Sequence, residues 1–159
     1  IDLPINAFIP STWILNREEK LEAYKSVTEC SNDKELAELA IDWTNRYGTL
    51  PKPVESLIML MKLKLLAKSC AFYKIRLSKP NIIIETKLKK STFNILSNSL
   101  TSSNQSKFNF VEGDENSKII IRGLGVTEIQ NQVEQMILWF GLFVKEIKNF
   151  NREPLITKK

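Results

Sequence analysis

The chain has 159 residues and a formal charge of +5 at pH 7, and it is 43% apolar and 26% charged. That mix belongs to one folded domain, or two small ones, with enough core to need no disulfide staple. Histidine is absent, which removes Ser-His-Asp catalysis, imidazole acid–base chemistry and nearly every zinc site.

Ile1 to Trp13 reads as an extended arm, because Pro4 and Pro10 bar a helix and Leu3, Ile5, Phe8 and Ile9 are apolar enough to pack. Asn16, with Glu19 three residues on, has the spacing of a capping box and predicts a helix over 17–30. Leu21, Tyr24 and Val27 are its expected apolar face. Ser31-Asn32-Asp33 supplies the next cap, and a second helix follows over 33–47 with Leu36, Leu39, Ala40, Trp43 and Tyr47 as its buried stripe. Gly48 fits the left-handed position after a helix, and Pro53 the first turn of a third helix over 53–71, apolar nearly all round.

The period then changes to two. Tyr73, Ile75 and Leu77 alternate with Lys74 and Arg76, so Tyr73 is expected to face the core. A turn at 78–81 and the run Ile82-Ile83-Ile84 complete a hairpin. A short helix is expected over 89–99, a mobile Ser/Asn-rich loop over 97–106, and a second strand pair at 108–111 and 118–122. Thr127 with Gln130 is read as a second capping box, opening a final helix over 128–149 and leaving a frayed tail with Pro154 and Lys158-Lys159. The order predicts an α+β fold: an N-terminal extended arm and three helices packed on a small, mostly antiparallel β-β-α-β-β sheet, closed by a long C-terminal helix. The division expected is a helical part over 1–72 and an α/β part over 73–159, within one domain.

Few patterns carry chemistry. Gly123-Leu124-Gly125 stands between a strand and a helix, but position 128 is Glu where a dinucleotide loop needs its third glycine, so a tight turn is the better reading. Cys30 and Cys70 read as buried, inert thiols, and Trp43 and Trp139 as packing, while Phe108 and Phe110 beside Lys107 leave open the stacking of bases. The pairs Glu18/Glu22, Glu35/Glu38 and Glu38/Asp42 are spaced for neighbouring carboxylates on a helix, and read as solvated surface or as a docking face for a basic partner. Glu35, Glu38 and Asp42 are expected opposite the apolar stripe of the second helix. Charge is uneven: residues 1–60 hold 6 Lys/Arg against 10 Asp/Glu, and residues 61–159 hold 17 against 8. The nine Lys/Arg between 62 and 90 face only Glu85 as an acid. They leave open a nucleic-acid-binding module or contact with an acidic protein. No apolar run approaches the ~20 residues of a membrane helix, so no membrane partner is expected. Two cysteines without a disulfide framework suit a reducing, cytoplasmic setting. The first residue is Ile1, and the chain reads as a piece of a longer protein.

Several segments together are specific. Asp2-Leu3-Pro4-Ile5-Asn6-Ala7-Phe8-Ile9-Pro10, Lys20-Leu21-Glu22-Ala23-Tyr24-Lys25, Glu35-Leu36-Ala37-Glu38-Leu39, Arg46-Tyr47-Gly48, Leu50-Pro51, Pro53-Val54 and Lys62-Leu63-Lys64-Leu65-Leu66-Ala67 occur in order. This resembles the carboxy-terminal domain of the bacterial transcription-repair coupling factors over 1–76, and only in architecture over 77–159. Asn45 stands where the family has Asp. The resemblance implies a non-catalytic, autoinhibitory and monomeric domain without a cofactor of its own, ATP belonging to the parent's motor. It implies docking on the parent's UvrB-like domain, masking of a UvrA-binding surface, and indirect coupling to RNA polymerase and DNA. Glu35, Glu38, Asp42 and Arg46 are the docking residues expected on that reading.

Overall fold

The computed structural model describes residues 1–152. The expected tail with Pro154 and Lys158-Lys159 lies outside them. Three helices come first: α1 (Arg17–Glu29), α2 (Asp33–Tyr47) and α3 (Lys52–Ser69). Strands β1 (Phe72–Ser78) and β2 (Asn81–Thr86), helices α4 (Lys90–Ser97) and α5 (Ser102–Gln105), and strands β3 (Phe108–Val111) and β4 (Ser117–Ile121) follow. A 3-10 turn at Leu124–Val126 leads into α6 (Ile129–Arg152). The described residues form two compact units, one of Ile5–Leu65 and one of Ile1–Pro4 with the described residues from Leu66 onward.

In the helical unit, local chemistry sets the helix ends. The Asn16 side chain accepts from the Glu19 amide, and Asn32 from the Glu35 amide, each using one of the first-turn N–H groups that a helix leaves unbonded. Gly48, at φ +91°, ends α2 and donates its amide to the Thr44 carbonyl. The core is Ile9, Ile14, Ala23, Val27, Leu36, Trp43, Val54 and Leu57. Trp13 joins it at the rim, edge-on to Trp43 at 6.1 Å. The Ile9 amide donates to the Tyr24 hydroxyl at 2.8 Å, which fixes part of the extended arm on α1. Leu21 does not share the buried face. Residues three apart fall back about 60° on a helix, so Leu21 and Val27 stand about 120° apart. Ala23 and Val27 are buried, and Leu21 is in solvent.

The sheet unit is a wholly antiparallel four-stranded sheet in the order β1-β2-β4-β3. Register aligns Ile84 with Ile75 and Ile119, and Ile82 with Ile121, so one face is a continuous aliphatic layer. Phe93 of α4 and Trp139, Phe140 and Phe143 of α6 pack there with Phe72, Phe108 and Phe110. Asp2 bridges β1, its amide donating to the Ile75 carbonyl at 2.7 Å.

Tyr73 is the main departure from alternation. A bulge between Phe72 and Lys74 inserts one residue, so Phe72 and Ile75 are buried three apart while Tyr73 is exposed. Within the expected Ser/Asn-rich loop, α5 forms one capped turn. The Thr101 hydroxyl accepts from the Asn104 amide, and the Gln105 side chain bonds the carbonyl of buried Leu100. The start of α6 also differs from the expected box. Thr127 Oγ1–H donates to the Leu124 carbonyl, and the side chain reaching back is that of Gln132, whose amide donates to the Thr127 carbonyl at 2.7 Å.

Candidate docking face on the helical unit

At 100° per residue, Glu35, Glu38, Asp42 and Arg46 share an arc of about 80° on α2. The arc lies about 110° from the centre of the apolar stripe, so it borders that stripe rather than opposing it as expected. This puts Asp42 and Arg46 on the lip of a groove between α1 and α2, of about 80 Å³, whose other wall includes Glu19 and Glu22.

The four residues have different occupations. Glu35 closes the α2 cap: its Oε2 accepts the Ser31 amide at 2.7 Å and the Ser31 hydroxyl at 3.1 Å. That carboxylate is committed to its own chain. Glu38 lies 4.0 Å from Lys34 with both groups well exposed. Arg46 Nη1 lies 3.5 Å from Asp42 Oδ2, and its guanidinium stands 5.1 Å from the centre of the Tyr47 ring. The Tyr47 hydroxyl in turn donates to Glu19 Oε2 at 3.3 Å. Burial pushes the Tyr47 phenol above its ordinary range; Arg46 opposes that shift, and Glu19 reinforces it. An exposed i,i+4 pair such as Asp42–Arg46 contributes about 0.3–0.5 kcal/mol, so either side chain can change partner at little cost to the fold.

Sequence reasoning missed the apolar side chains left in solvent on these helices. Leu21 of α1 is 61% exposed and Ile41 of α2 62%. Their phase was the available signal, since Ile41 falls outside the arc spanned by Leu36, Leu39, Ala40, Trp43 and Tyr47.

The basic stretch is scattered. Lys62 pairs with Asp33 at 3.5 Å and Lys74 with Glu85 at 3.7 Å, and the remaining cations are divided between helix, strands and turn. Phe108 and Phe110 are packed on Phe93. The glycine pair is a packing device: Gly125 donates its amide to the Pro80 carbonyl at 2.9 Å, and a Cβ there would lie 2.8 Å from the Asn81 carbonyl oxygen. Among the described residues no group of three or more Cys, Asp or Glu is placed to hold a metal, and no helix is long and apolar enough to cross a membrane.

The described residues define a small mixed helix-and-sheet domain built on a four-stranded antiparallel sheet. Comparison with known proteins gives the family. The family model for the TRCF domain matches residues 3–95, more than half of the chain, and the chain belongs to that family. The transcription-repair-coupling factor of Mycobacterium bovis is 37% identical over 68 residues, 43% of this chain and 6% of that protein. The same factor of Borreliella burgdorferi is 30% identical over 89 residues, 55% of this chain and 8% of its own length. The matched segment is thus a small fraction of these relatives. A crystal structure of the C-terminal domain of a transcription-repair coupling factor superposes with a TM-score of 0.74 at 17% identity, covering 93% of this chain and 92% of that one. The two share a fold.

Proposed function

We propose that this chain is a regulatory, non-catalytic module of a transcription-repair coupling factor, acting as a single unit that docks on the UvrB-like domain of its own parent. Docked, it covers a UvrA-binding surface and restrains the ATP-driven DNA translocase. Released, once stalled RNA polymerase is engaged, it uncovers that surface. The observation that carries the reading is the exposed Glu38–Asp42–Arg46 arc beside the α1/α2 groove, inside the segment matched by the family model. Glu35 supports the arc by holding the start of α2. A latch shifts an equilibrium only by its differential contact energy, a few kcal/mol for a switchable interface. Weakly paired surface charges suit that range better than a large apolar seam.

Titration of this chain against the isolated UvrB-like segment, at low and high salt, tests the reading. Binding is expected to weaken with salt, and Glu38→Lys with Asp42→Lys to reduce affinity about tenfold or more. No binding at either salt, or affinity unmoved by the reversals, overturns it. An electrophoretic shift of duplex DNA by this chain alone, lost steeply with salt, would favour the nucleic-acid module of residues 62–90 instead.

A further inference from the structure

The sheet unit holds a second pocket, of about 290 Å³, that the docking reading does not use. Its two cations are set side by side by the backbone: the Arg122 amide, just past β4, donates to the Lys107 carbonyl, just before β3, at 2.8 Å. Arg122 is further steadied by donating its guanidinium Nη2–H to the Ser106 carbonyl. Gly123, in the left-handed region at φ +77°, turns the chain from there into the 3-10 turn that forms one wall. Asn131 and Gln135, one turn apart on α6, add two side-chain amides to the lining. Leu124 and the Trp139 ring supply its apolar part, and Lys107 Nζ lies 5.9 Å from the centre of that ring. The Trp139 indole N–H is buried with no acceptor among the described residues. No Asp or Glu lines the pocket.

We infer that this pocket binds a carboxylate carried on an apolar stem: a glutamate side chain of an acidic protein segment. Two adjacent cations and two amides offer a fork of donors for one oxyanion. The Leu124 and Trp139 surfaces accept the methylenes below it. The volume is roughly that of ten water molecules, enough for one side chain. A nucleic-acid backbone would ask for a track of exposed cations and gains nothing from an apolar floor.

Nitrogen-15 spectra of the whole chain test this through its three tryptophan indole resonances, Trp13 and Trp43 serving as internal controls. A capped tri-glutamate peptide is expected to move the Trp139 resonance saturably and leave the other two in place. Lys107→Gln and Arg122→Gln, both at exposed positions, are each expected to weaken that binding about tenfold. Arg122→Lys should recover part of the loss, keeping the charge without the fork. If either Gln variant lowers the urea midpoint and so disturbs the fold, Gln135→Ala replaces it, with weaker binding again expected. The inference fails if the tri-glutamate peptide leaves Trp139 unmoved, or if capped tri-glutamine or inorganic phosphate binds as well as tri-glutamate. It fails equally if affinity is indifferent to these substitutions.

Discussion

The two units are held by different kinds of information. In the helical unit α1 and α2 carry their own punctuation: Asn16 and Asn32 cap, Gly48 stops, and Leu36 and Trp43 fall on one stripe. In the sheet unit the structure depends on pairings distant in sequence, such as Ile82 with Ile121 and Phe72 with Phe140. Sequence likeness to the family covers the helical unit and runs to residue 95, within α4, whereas likeness of fold extends over 93% of the chain at 17% identity. A sheet packed under two helices can be filled by many combinations of large apolar side chains, provided pattern and volume are kept. The arc on α2 lies within the segment that the family model matches.

The sharpest way to break this division is to empty each core in turn. Trp43→Ala and Phe143→Ala, at residues almost wholly buried in the helical and sheet units, should each cost about 3–5 kcal/mol. Cys30 reports on the first unit and Cys70 on the second. With Trp43→Ala, thiol labelling read by mass spectrometry should accelerate more at Cys30 than at Cys70, and Phe143→Ala should reverse the order. Equal acceleration at both cysteines in both variants would show a single cooperative body.

The glycines extend the comparison at a smaller scale. A methyl at Gly125 meets Asn81 O and Leu77 Cδ1 at 2.8 Å and Pro80 C at 2.9 Å, two of the three being backbone atoms. Gly125→Ala should therefore cost about 1–3 kcal/mol through overpacking. At Gly48 nothing stands within 4 Å, and only the positive φ penalises a side chain. Gly48→Ala should cost about 1 kcal/mol. Urea midpoints in the opposite order would contradict this assignment of the two roles.

What was legible follows the same line. Helix ends set by a cap within three residues were readable to within about a residue, as were the strand pairs on either side of α4, because period and turn residues are local signals. Leu21 was misplaced by helical phase alone; other errors arose where a non-local or one-residue event intervened. The bulge after Phe72 inverted the parity of Tyr73, and no residue type announces it. The Ser/Asn-rich segment gained a turn because Leu100 is buried and Thr101 caps α5. That Glu35, Glu38, Asp42 and Arg46 share one arc of α2 was readable from their spacing. Its position at the edge of the apolar stripe needed the helical angle, and the capture of Glu35 by Ser31 needed coordinates. The pocket of Lys107 and Arg122 was invisible, since only the β3–β4 pairing brings residues fifteen apart together.

The cysteines also separate the units by pH. Burial pushes the Cys70 thiol up to about 12 from an ordinary 9.0, and Cys30 is raised as well, first by burial and then by Glu35. In the unfolded chain the Cys70 thiol ionises near pH 9. The stability that comes from keeping it neutral is therefore whole below about pH 9 and is lost progressively as pH rises toward about 12. One pH unit above the unfolded value the loss is about 1 kcal/mol. Cys70→Ala should flatten the alkaline decline of the urea midpoint relative to the native chain. The slope is the quantity to compare, because the substitution also leaves a small cavity. An unchanged slope would place the thiol in contact with solvent.

The last contrast lies in how the helices stop. In the helical unit the residue after α2 is a glycine at φ +91°, whereas in the sheet unit Ala71 takes φ +60° two residues past the end of α3. Ala71 is held there from both sides: its amide donates to the Lys68 carbonyl at 3.1 Å, and its own carbonyl accepts the Thr86 hydroxyl at 2.8 Å. The left-handed region costs an L-residue about 1–2 kcal/mol. Glycine would escape that cost but give back about 0.4–1 kcal/mol through the greater freedom of its unfolded chain. The Ala71 side chain is exposed, so little packing is lost with its methyl. Ala71→Gly should therefore raise stability by about 0.5 kcal/mol, read as a higher urea midpoint at unchanged slope, while Ala71→Val should lower it. A glycine variant less stable than the native chain would mean that the methyl, rather than the two hydrogen bonds, holds the strand-entry turn in place.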